Sequence, residues 1–442
     1  MPLPNALYKE SLKILYYYYQ YKNSQRLSRS NLKNRQIRKL KKILYHAQKK
    51  VPYYSQLFRK MNFDINRIND IKDINRIPIL KKEDIIKDPE KFIASNSKEF
   101  NSAWHYTSGT TGTPFSFLLD KNAELRRLAS LLRCWNWTGY YPGKKVFSLQ
   151  QGASLGFEGV KKLKKQKTIK LSATSLNKKN AIKTHKILLD YKPKYFISYP
   201  YSLVNFIKYG LEEFDNIHKP KVVISSGENL DNHIRNYIET NLNCKVFDFY
   251  SHEESVIMGM EDKDGIRYLL DDFGISEIVN EKTQKPVKSG EVGLLIGTGI
   301  NNYSMPLIRY LVGDRIEIKS DLEDRKGKLN FTNYKRLLGR KNDVIYTPDG
   351  KKISILEDIL HLKLDGIIAS QIVQERINKV KLRIIKGPNF NEDNITKIRE
   401  EMEKLISREM RYEFEFVDKL EIKKEGKIPF IISHLKNKRY EN

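Results

Sequence analysis

The sequence has few cysteines and lacks a long apolar run. Cys134 and Cys244 are far apart in the chain, which excludes a disulfide scaffold and a cysteine-based zinc site. The nearest candidate for a membrane span, residues 14–19, is much shorter than the ~20 apolar residues that a spanning helix needs. No small-residue cleavage site follows this run, so a signal peptide is not expected. These features predict a reduced protein of the cytoplasm.

Acidic residues are almost missing from the first part of a chain whose net charge is +28. Residues 1–60 contain fifteen Lys or Arg and a single acid, Glu10. A surface of this kind attracts anions such as membrane headgroups, nucleic acid or an acidic polymer. The chain is also rich in lysine throughout, so the same residues fit an ordinary solvated face. Both interpretations stay open on the sequence. The tyrosines at 16–19 favour one face of an amphipathic helix over a platform for stacking bases.

The hydrophobic pattern predicts an α/β protein with more than one domain. A chain of 442 residues fits roughly two to four domains. Apolar residues at 32–47 have helical spacing, and between 101 and 335 short β-rich runs alternate with helical stretches, which favours a largely parallel sheet. Pro348-Asp349-Gly350 then indicates a hairpin. We expect a basic helical region at 1–100 packed on the large domain, an α/β core at 101–338 and a small α+β domain at 339–442.

One run of hydroxyl and glycine residues, at 106–114, follows a predicted strand and reads Tyr-Thr-Ser-Gly-Thr-Thr-Gly-Thr-Pro. Glycines let backbone N–H groups approach an anion closely, and the hydroxyls add hydrogen-bond donors. The Gly-Lys-Ser/Thr ending of a Walker loop is missing. Taken alone, such a run is also typical of a plain loop, so a phosphate-binding interpretation depends on what accompanies it.

The run resembles the phosphate loop of the adenylate-forming ligases. Six further segments resemble other motifs of that superfamily, in the same order: 226–228, 249–254, 290–298, 306–314, 339–343 and 426–428. Each motif is weak alone, whereas seven in one order are specific. Segments 47–54, 77–84, 192–195 and 199–203 are similar to the phenylacetate–CoA ligase family, and 348–350 is more like a branch associated with capsular polysaccharide synthesis.

This resemblance implies an enzyme that uses ATP and Mg²⁺ to activate a carboxylic acid as an acyl-adenylate, with release of pyrophosphate. The acyl group would then pass to CoA, or to an amine or hydroxyl acceptor. Because a carboxylate and ATP are both anions, attack on the α-phosphate needs charge neutralisation and in-line placement. The resemblance also implies a large N-terminal α/β domain with parallel sheets and a small, mobile α+β C-terminal domain.

The resemblance assigns the catalytic positions to three residues, Lys427, Glu254 and Arg340. Lys427 would bridge the carboxylate and the α-phosphate as a mobile point charge. Glu254 would hold Mg²⁺, a hard cation that prefers oxygen ligands, and Arg340 would contact ribose or phosphate. Asp314 would accept hydrogen bonds from the ribose hydroxyls. His252, beside Glu254, fits either a packing residue of the pocket wall or a substrate contact.

The remaining nucleotide contacts come from two segments and one aromatic residue. The phosphate-binding residues implied by the resemblance are Thr107, Ser108, Gly109, Thr110, Thr111 and Gly112. Those implied to frame the adenine are Ser226, Gly227, Glu228 and Tyr250.

The sequence departs from the family pattern at Thr113, Asn342 and Ser251. A lysine usually stands at the position of Thr113, so one positive charge beside the phosphates is missing. Asn342, where Asp is usual, would be the hinge about which the small domain rotates after adenylation, since Asn tolerates left-handed backbone conformations. The missing lysine also motivates an alternative hypothesis, a non-catalytic nucleotide-binding scaffold in a polysaccharide-synthesis complex.

The expected partners are a carboxylic acid and, for the basic N-terminal region, an acidic glycan or a membrane surface at the inner face. Nucleic-acid binding ranks last because no recognised nucleic-acid module is present. A homodimer is expected only by analogy with the branch that the chain resembles.

Overall fold

The computed structural model of the chain describes residues 10–107, 115–150, 159–319, 329–341, 343–353, 366–387, 390–422 and 427–435. It is a mixed α/β protein with a smaller α+β domain in its C-terminal part, which confirms the predicted fold class. The chain divides into two compact units, the first of residues 1–142 and 249–337, the second of residues 143–248 and 338–442. The three domain ranges predicted from the sequence stay a prediction.

Helices dominate the N-terminal segment of the first unit. They are α1 (Ser11–Ser24), α2 (Arg29–Lys50), α3 (Pro52–Lys60), α4 (Lys82–Lys87) and α5 (Lys121–Trp137), with short 3₁₀ turns at Ile65–Arg67, Ile71–Arg76, Pro89–Phe92 and Ser97–Phe100. Ser28 caps α2, since its Oγ accepts a hydrogen bond from the Asn31 N–H at 3.3 Å. Leu40, Ile43 and Ala47 follow the predicted helical spacing and are buried. Across the described ranges, no helix combines the length and apolar character needed to cross a bilayer.

The strands of the first unit are mostly antiparallel. They are β1 (Ala103–Thr107), β2 (Phe115–Leu119), β9 (Met258–Glu261), β10 (Arg267–Leu269), β11 (Gly274–Val279), β12 (Val292–Gly299) and β13 (Tyr310–Ile318), with most of β14 (Thr332–Arg340). β1 and β2 form a hairpin of their own, whereas the others are ordered β11, β12, β13, β14, β10 and β9. β8 (Lys245–Ser251) carries the chain from the second unit into the first.

The second unit contains the predicted parallel sheet. Its strands here are β3 (Val146–Gln150), β4 (Val160–Leu163), β5 (Thr168–Ser172), β6 (Tyr195–Ser198) and β7 (Val222–Ser226), and its helices are α6 (Lys178–Tyr191), α7 (Pro200–Leu211) and α8 (Asn232–Leu242), with a 3₁₀ turn at Ala173–Ser175. β5, β3, β6 and β7 are parallel neighbours, and β4 pairs antiparallel at the edge. All parallel strands therefore end at one edge, where open α/β sheets bind ligands.

The C-terminal part of the second unit is a small α+β domain. It comprises β15 (Ile345–Tyr346), β16 (Lys352–Ile353), β17 (Ile367–Arg376), β18 (Lys379–Lys386), α9 (Glu392–Leu405), β19 (Arg411–Phe416) and β20 (Ile431–Ser433). The hairpin β15–β16 turns at Pro348-Asp349-Gly350, as predicted. Ile368 and Ile428 join the same apolar cluster as Phe147 and Val223, which ties this domain to the parallel sheet of its unit.

Candidate active site

The predicted site residues fall into two groups of contacts, one in each unit. Ser108, Gly109, Thr110, Thr111 and Gly112 of the phosphate loop, with Thr113 and the hinge residue Asn342, lie outside the described residues. Thr107 ends β1, and its side chain also lies outside the description.

In the first unit, two tyrosines hold the two acids that the resemblance singles out. Tyr250, near the end of β8, donates a hydrogen bond through Oη to Asp314 Oδ2 at 2.6 Å. Tyr310, at the start of β13, donates through Oη to Glu254 Oε1 at 3.2 Å. The pairing is reciprocal, because Asp314 lies on the same strand as Tyr310 and Glu254 follows the strand of Tyr250. The two hydrogen bonds therefore connect the segment 250–254 to β13 and hold Glu254 and Asp314 in one part of the first unit.

His252 holds the second oxygen of Glu254. Its Nε2 lies 3.3 Å from the backbone N–H of Ile257 and accepts that hydrogen bond. In the neutral ring, Nδ1 then carries the proton and donates to Glu254 Oε2 at 3.2 Å. Both carboxylate oxygens of Glu254 thus have a protein partner, and His252 orients this acid from the side.

The carboxylate of Glu254 has the donor type that Mg²⁺ selects. Mg²⁺ keeps several waters and is usually bound by one or two carboxylates together with substrate phosphates, so it needs no cage of protein ligands. Within the described ranges, no three His, Cys, Asp or Glu side chains gather as such a cage would require. The single carboxylate of Glu254 therefore fits a Mg²⁺ ion that is bound together with the phosphates of a nucleotide.

In the second unit, polar residues collect where the parallel strands end. Gln150 closes β3 and donates through Nε2 to Ser226 Oγ, which closes β7, at 2.8 Å. Tyr199 follows β6, between those two strands in the sheet. These residues belong to the edge at which doubly wound sheets bind nucleotides. Ser226 therefore lies at this edge, and its contact with adenine stays a prediction.

Gly227 is required by the backbone and by its neighbours. Its φ is +81°, a left-handed conformation that favours glycine. A Cβ at this position would lie 2.6 Å from Tyr199 Cε1 and 3.5 Å from Lys427 Cε. The loop can therefore approach the ring of Tyr199 and the side chain of Lys427 only without a side chain of its own.

Glu228 joins this loop to the C-terminal domain of the same unit. Its Oε1 accepts a hydrogen bond from the backbone N–H of Ile428 at 2.6 Å, and its Oε2 lies 3.4 Å from the N–H of Tyr201. Lys427, the preceding residue, holds its Nζ 5.9 Å from the centroid of the Tyr199 ring. The predicted catalytic lysine is thereby brought to the loop at 226–228.

Burial decides the charge of Glu228. Desolvation raises the pKa of its carboxyl group to about 7, against the opposing effects of the Ile428 N–H and the positive charge of Lys427. Near neutral pH this group therefore lies close to the midpoint of its titration, an arrangement often found at functional sites.

Arg340 stands at the end of β14 and is exposed. Its backbone N–H lies 3.4 Å from Asp343 Oδ2. Arg309, in the same motif as Asp314, is by contrast buried in an ion pair with Glu277 at 2.8 Å and also donates to the carbonyl of Asn75 at 3.0 Å. Arg309 therefore serves the packing of the first unit.

Sequence reasoning gave no role to Tyr310, Gln150 or Ile428. Tyr310 lies inside a motif that the sequence resembles, and Ile428 directly follows the predicted catalytic lysine. The motifs could therefore have indicated both residues. Gln150 carried no signal, because its link to Ser226 exists only through the neighbouring ends of strands in the sheet.

Comparisons with known proteins agree with this architecture. Residues 345–434 match the family described as the CapK C-terminal domain. Protein CapK of Staphylococcus aureus is 25% identical over 402 residues, which cover 88% of this chain and 87% of that protein. The phenylacetate-coenzyme A ligase of Thermus thermophilus is 26% identical over 306 residues, which cover 65% of this chain and 66% of that protein.

The fold is also that of a solved ligase. The crystal structure of 2-hydroxyisobutyryl-CoA ligase in the postadenylation state, in complex with R3-HIB-AMP, aligns with a TM-score of 0.73 at 18% identity, over 93% of this chain and 91% of that chain. Fold and relatives together make this chain similar to AMP-forming ligases. The chain is thus similar in sequence to CapK and to phenylacetate-coenzyme A ligases, and it has the fold of an acyl-CoA ligase.

Proposed function

We propose that this protein activates a carboxylic acid as an acyl-adenylate at the expense of ATP, releases pyrophosphate and transfers the acyl group to CoA. The observation that carries the proposal is the hydrogen bond from Ile428 N–H to Glu228 Oε1, which holds Lys427 beside the loop at 226–228. A lysine in that position can neutralise the carboxylate and the α-phosphate as they approach each other. Relatives named as phenylacetate-coenzyme A ligases support the choice of CoA as acceptor.

The acids of the first unit receive complementary roles in this proposal. Asp314, oriented by Tyr250, accepts hydrogen bonds from the two ribose hydroxyls. Glu254, oriented by Tyr310 and His252, supplies a carboxylate oxygen to Mg²⁺. The metal, when bound, offsets negative charge on the phosphates in the transition state.

The other predicted residues keep the roles that the resemblance implies. Thr107 to Gly112 contact the β- and γ-phosphates, Arg340 contacts ribose or phosphate, and Asn342 is the hinge of the small domain. Ser226, Gly227 and Glu228, with Tyr250, frame the adenine. Thr113 leaves the phosphate loop one charge short, which either slows adenylation or is offset by other lysines.

The physiological setting is a further part of the proposal. The resemblance of residues 348–350 to a branch associated with capsular polysaccharide synthesis motivates a role in that process, with an amine or hydroxyl of a sugar as the alternative acceptor to CoA. We propose a cytoplasmic protein that contacts an acidic glycan or a membrane surface through its basic N-terminal region and that acts as a homodimer. These points are independent of the adenylation chemistry.

The deciding experiment measures pyrophosphate release, with hydroxylamine to trap the acyl-adenylate, over a panel of aryl, fatty, amino and sugar acids. Turnover on one acid should fall by roughly a hundredfold or more in Lys427→Ala and in Glu254→Gln, because each removes a charge that stabilises the transition state. Lys419→Ala, an exposed lysine of the same domain, and Glu253→Gln, the exposed neighbour of Glu254, are matched controls that should keep full activity.

Either of two results would contradict the proposal. Turnover that survives in Lys427→Ala would remove this lysine from the chemistry. ATP binding without pyrophosphate release on any acid of the panel would instead favour the nucleotide-binding scaffold. Replacing CoA by amino sugars in the second half-reaction then identifies the acceptor.

A further inference from the structure

Helix α1 is apolar on two opposite faces. The buried residues of α1 include Ile14, Tyr17 and Tyr21. The guanidinium carbon of Arg126 on α5 lies 3.9 Å from the centroid of the Tyr17 ring. The other face exposes large apolar side chains at helical spacing: Leu12 at 81%, Leu15 at 49%, Tyr16 at 60% and Tyr19 at 52%. Packing within the first unit accounts for the first face alone. A contiguous apolar face in water marks an interaction surface.

A cavity of about 410 Å³ opens beside this exposed face. Leu12, Leu15 and Tyr18 of α1 line it from one side, and Leu132 and Tyr140 line it from the other. The lining is almost wholly apolar, and the volume lies within the range of small-molecule sites. Such a space fits a hydrocarbon chain better than it fits a nucleotide or a sugar, since those need polar partners.

The charge around α1 indicates which partner covers its exposed apolar face. Lys13 and Lys22 lie on α1, and the Nζ of Lys22 is 5.9 Å from the ring centroid of Tyr18. With fifteen basic residues against one acid, residues 1–60 would repel a second copy of the same surface. They would attract the headgroups of an anionic bilayer, and tyrosines are favoured at the boundary between headgroups and acyl chains.

We propose that α1 lies in the interface of an anionic lipid membrane, where Leu12, Leu15, Tyr16 and Tyr19 enter the headgroup boundary and the cavity receives one acyl chain. This inference narrows the proposed contact with an acidic surface to a membrane. It does not depend on the ligase chemistry, and binding to vesicles without ATP or a carboxylic acid tests it separately from activity.

The test uses the full chain, because α1 cannot be deleted without uncovering its buried face. Co-sedimentation is measured with vesicles of phosphatidylcholine alone and of phosphatidylcholine mixed with phosphatidylglycerol. We expect binding to the anionic vesicles only, weakened by salt. Leu12→Gln/Leu15→Gln should lower it by about tenfold or more, since two leucines no longer enter the apolar boundary. Both side chains are exposed, so the variant should fold normally, as circular dichroism would check.

The matched control is Leu189→Gln/Leu211→Gln, which changes two exposed leucines of the second unit and should bind like the wild type. Equal binding by wild type and Leu12→Gln/Leu15→Gln would overturn the proposal. A second result would also overturn it: a wild-type protein that is a dimer and does not bind vesicles, and that becomes a monomer in Leu12→Gln/Leu15→Gln. A second copy of the chain would then cover this face.

A second measurement addresses the cavity. The ring centroids of Trp135 and Tyr140 are 5.3 Å apart, so an acyl chain beside Tyr140 would lie close to this tryptophan. Vesicles with brominated acyl chains should quench tryptophan fluorescence, and Trp135→Phe should remove most of the quenching. Vesicle binding without quenching would show that no acyl chain enters the cavity.

Discussion

The carboxylate of Glu228 accepts a hydrogen bond at 2.6 Å from the backbone N–H of Ile428, a residue 200 positions further along the chain. This contact fastens the segment that carries Lys427 to the loop that follows β7. The two are parts of one unit, and the contact gives Glu228 the properties of a positioning residue for Lys427.

Loss of the acceptor at Glu228 should slow adenylation. Glu228→Ala removes the partner of Ile428 N–H, and we expect pyrophosphate formation to fall by about tenfold or more, as for a charged hydrogen bond. Glu228→Gln keeps one oxygen acceptor and should lose less. The control Glu239→Ala removes a carboxylate that accepts the Val246 N–H at 2.8 Å elsewhere in the unit, and its kcat should stay unchanged. Equal rates in wild type and Glu228→Ala would contradict the positioning role.

The raised pKa of Glu228, about 7, predicts two opposite pH effects. Activity should rise through this pH, because the ionised carboxylate is the stronger acceptor, and the rise should be missing in Glu228→Gln. Stability should change the other way. The folded state keeps this proton more tightly than the unfolded chain, so its stabilising contribution is complete below about pH 4.5 and is lost as pH rises towards 7. Chemical denaturation of wild type and Glu228→Gln at several pH values measures the difference.

The hydrogen-bonded pairs Tyr250–Asp314 and Tyr310–Glu254 should affect different kinetic parameters. Tyr250→Phe removes one hydrogen bond to Asp314, the acid proposed to bind ribose, and should raise the KM for ATP about fivefold, which corresponds to roughly 1 kcal/mol. Tyr310→Phe should instead raise the Mg²⁺ concentration needed for half-maximal activity. Titrations of ATP and of Mg²⁺ on both variants test this. The same change in both parameters for both variants would show that the pairs are only structural.

The ion pair between Arg133 and Asp272 should dominate the attachment of α1. Both side chains are buried, and Arg133 Nη1 lies 2.8 Å from Asp272 Oδ2. Arg133 also donates to the carbonyl of Tyr21, and Asp272 accepts a hydrogen bond from the hydroxyl of Ser24. Arg133→Met leaves a buried carboxylate without its cation, and we expect the free energy of unfolding to fall by about 3–5 kcal/mol. Lys33→Ala, which breaks an exposed pair with Asp70, should cost about 1 kcal/mol or less. Urea denaturation of both variants gives the comparison.

The sequence by itself determined the fold class, the parallel sheet and the turn at 348–350, because these depend on local periodicity and on residues with special backbone preferences. It also indicated the family, through the order of short motifs. It could not join Glu254 to Tyr310 or Asp314 to Tyr250, since each pair meets only when strands that are distant in sequence become neighbours. The pKa of Glu228 likewise depends on burial, which no motif encodes. Among the tyrosines at 16–19, tertiary packing alone decided that Tyr17 is buried while Tyr16 and Tyr19 face solvent, because only the folded chain brings α5 against one side of α1.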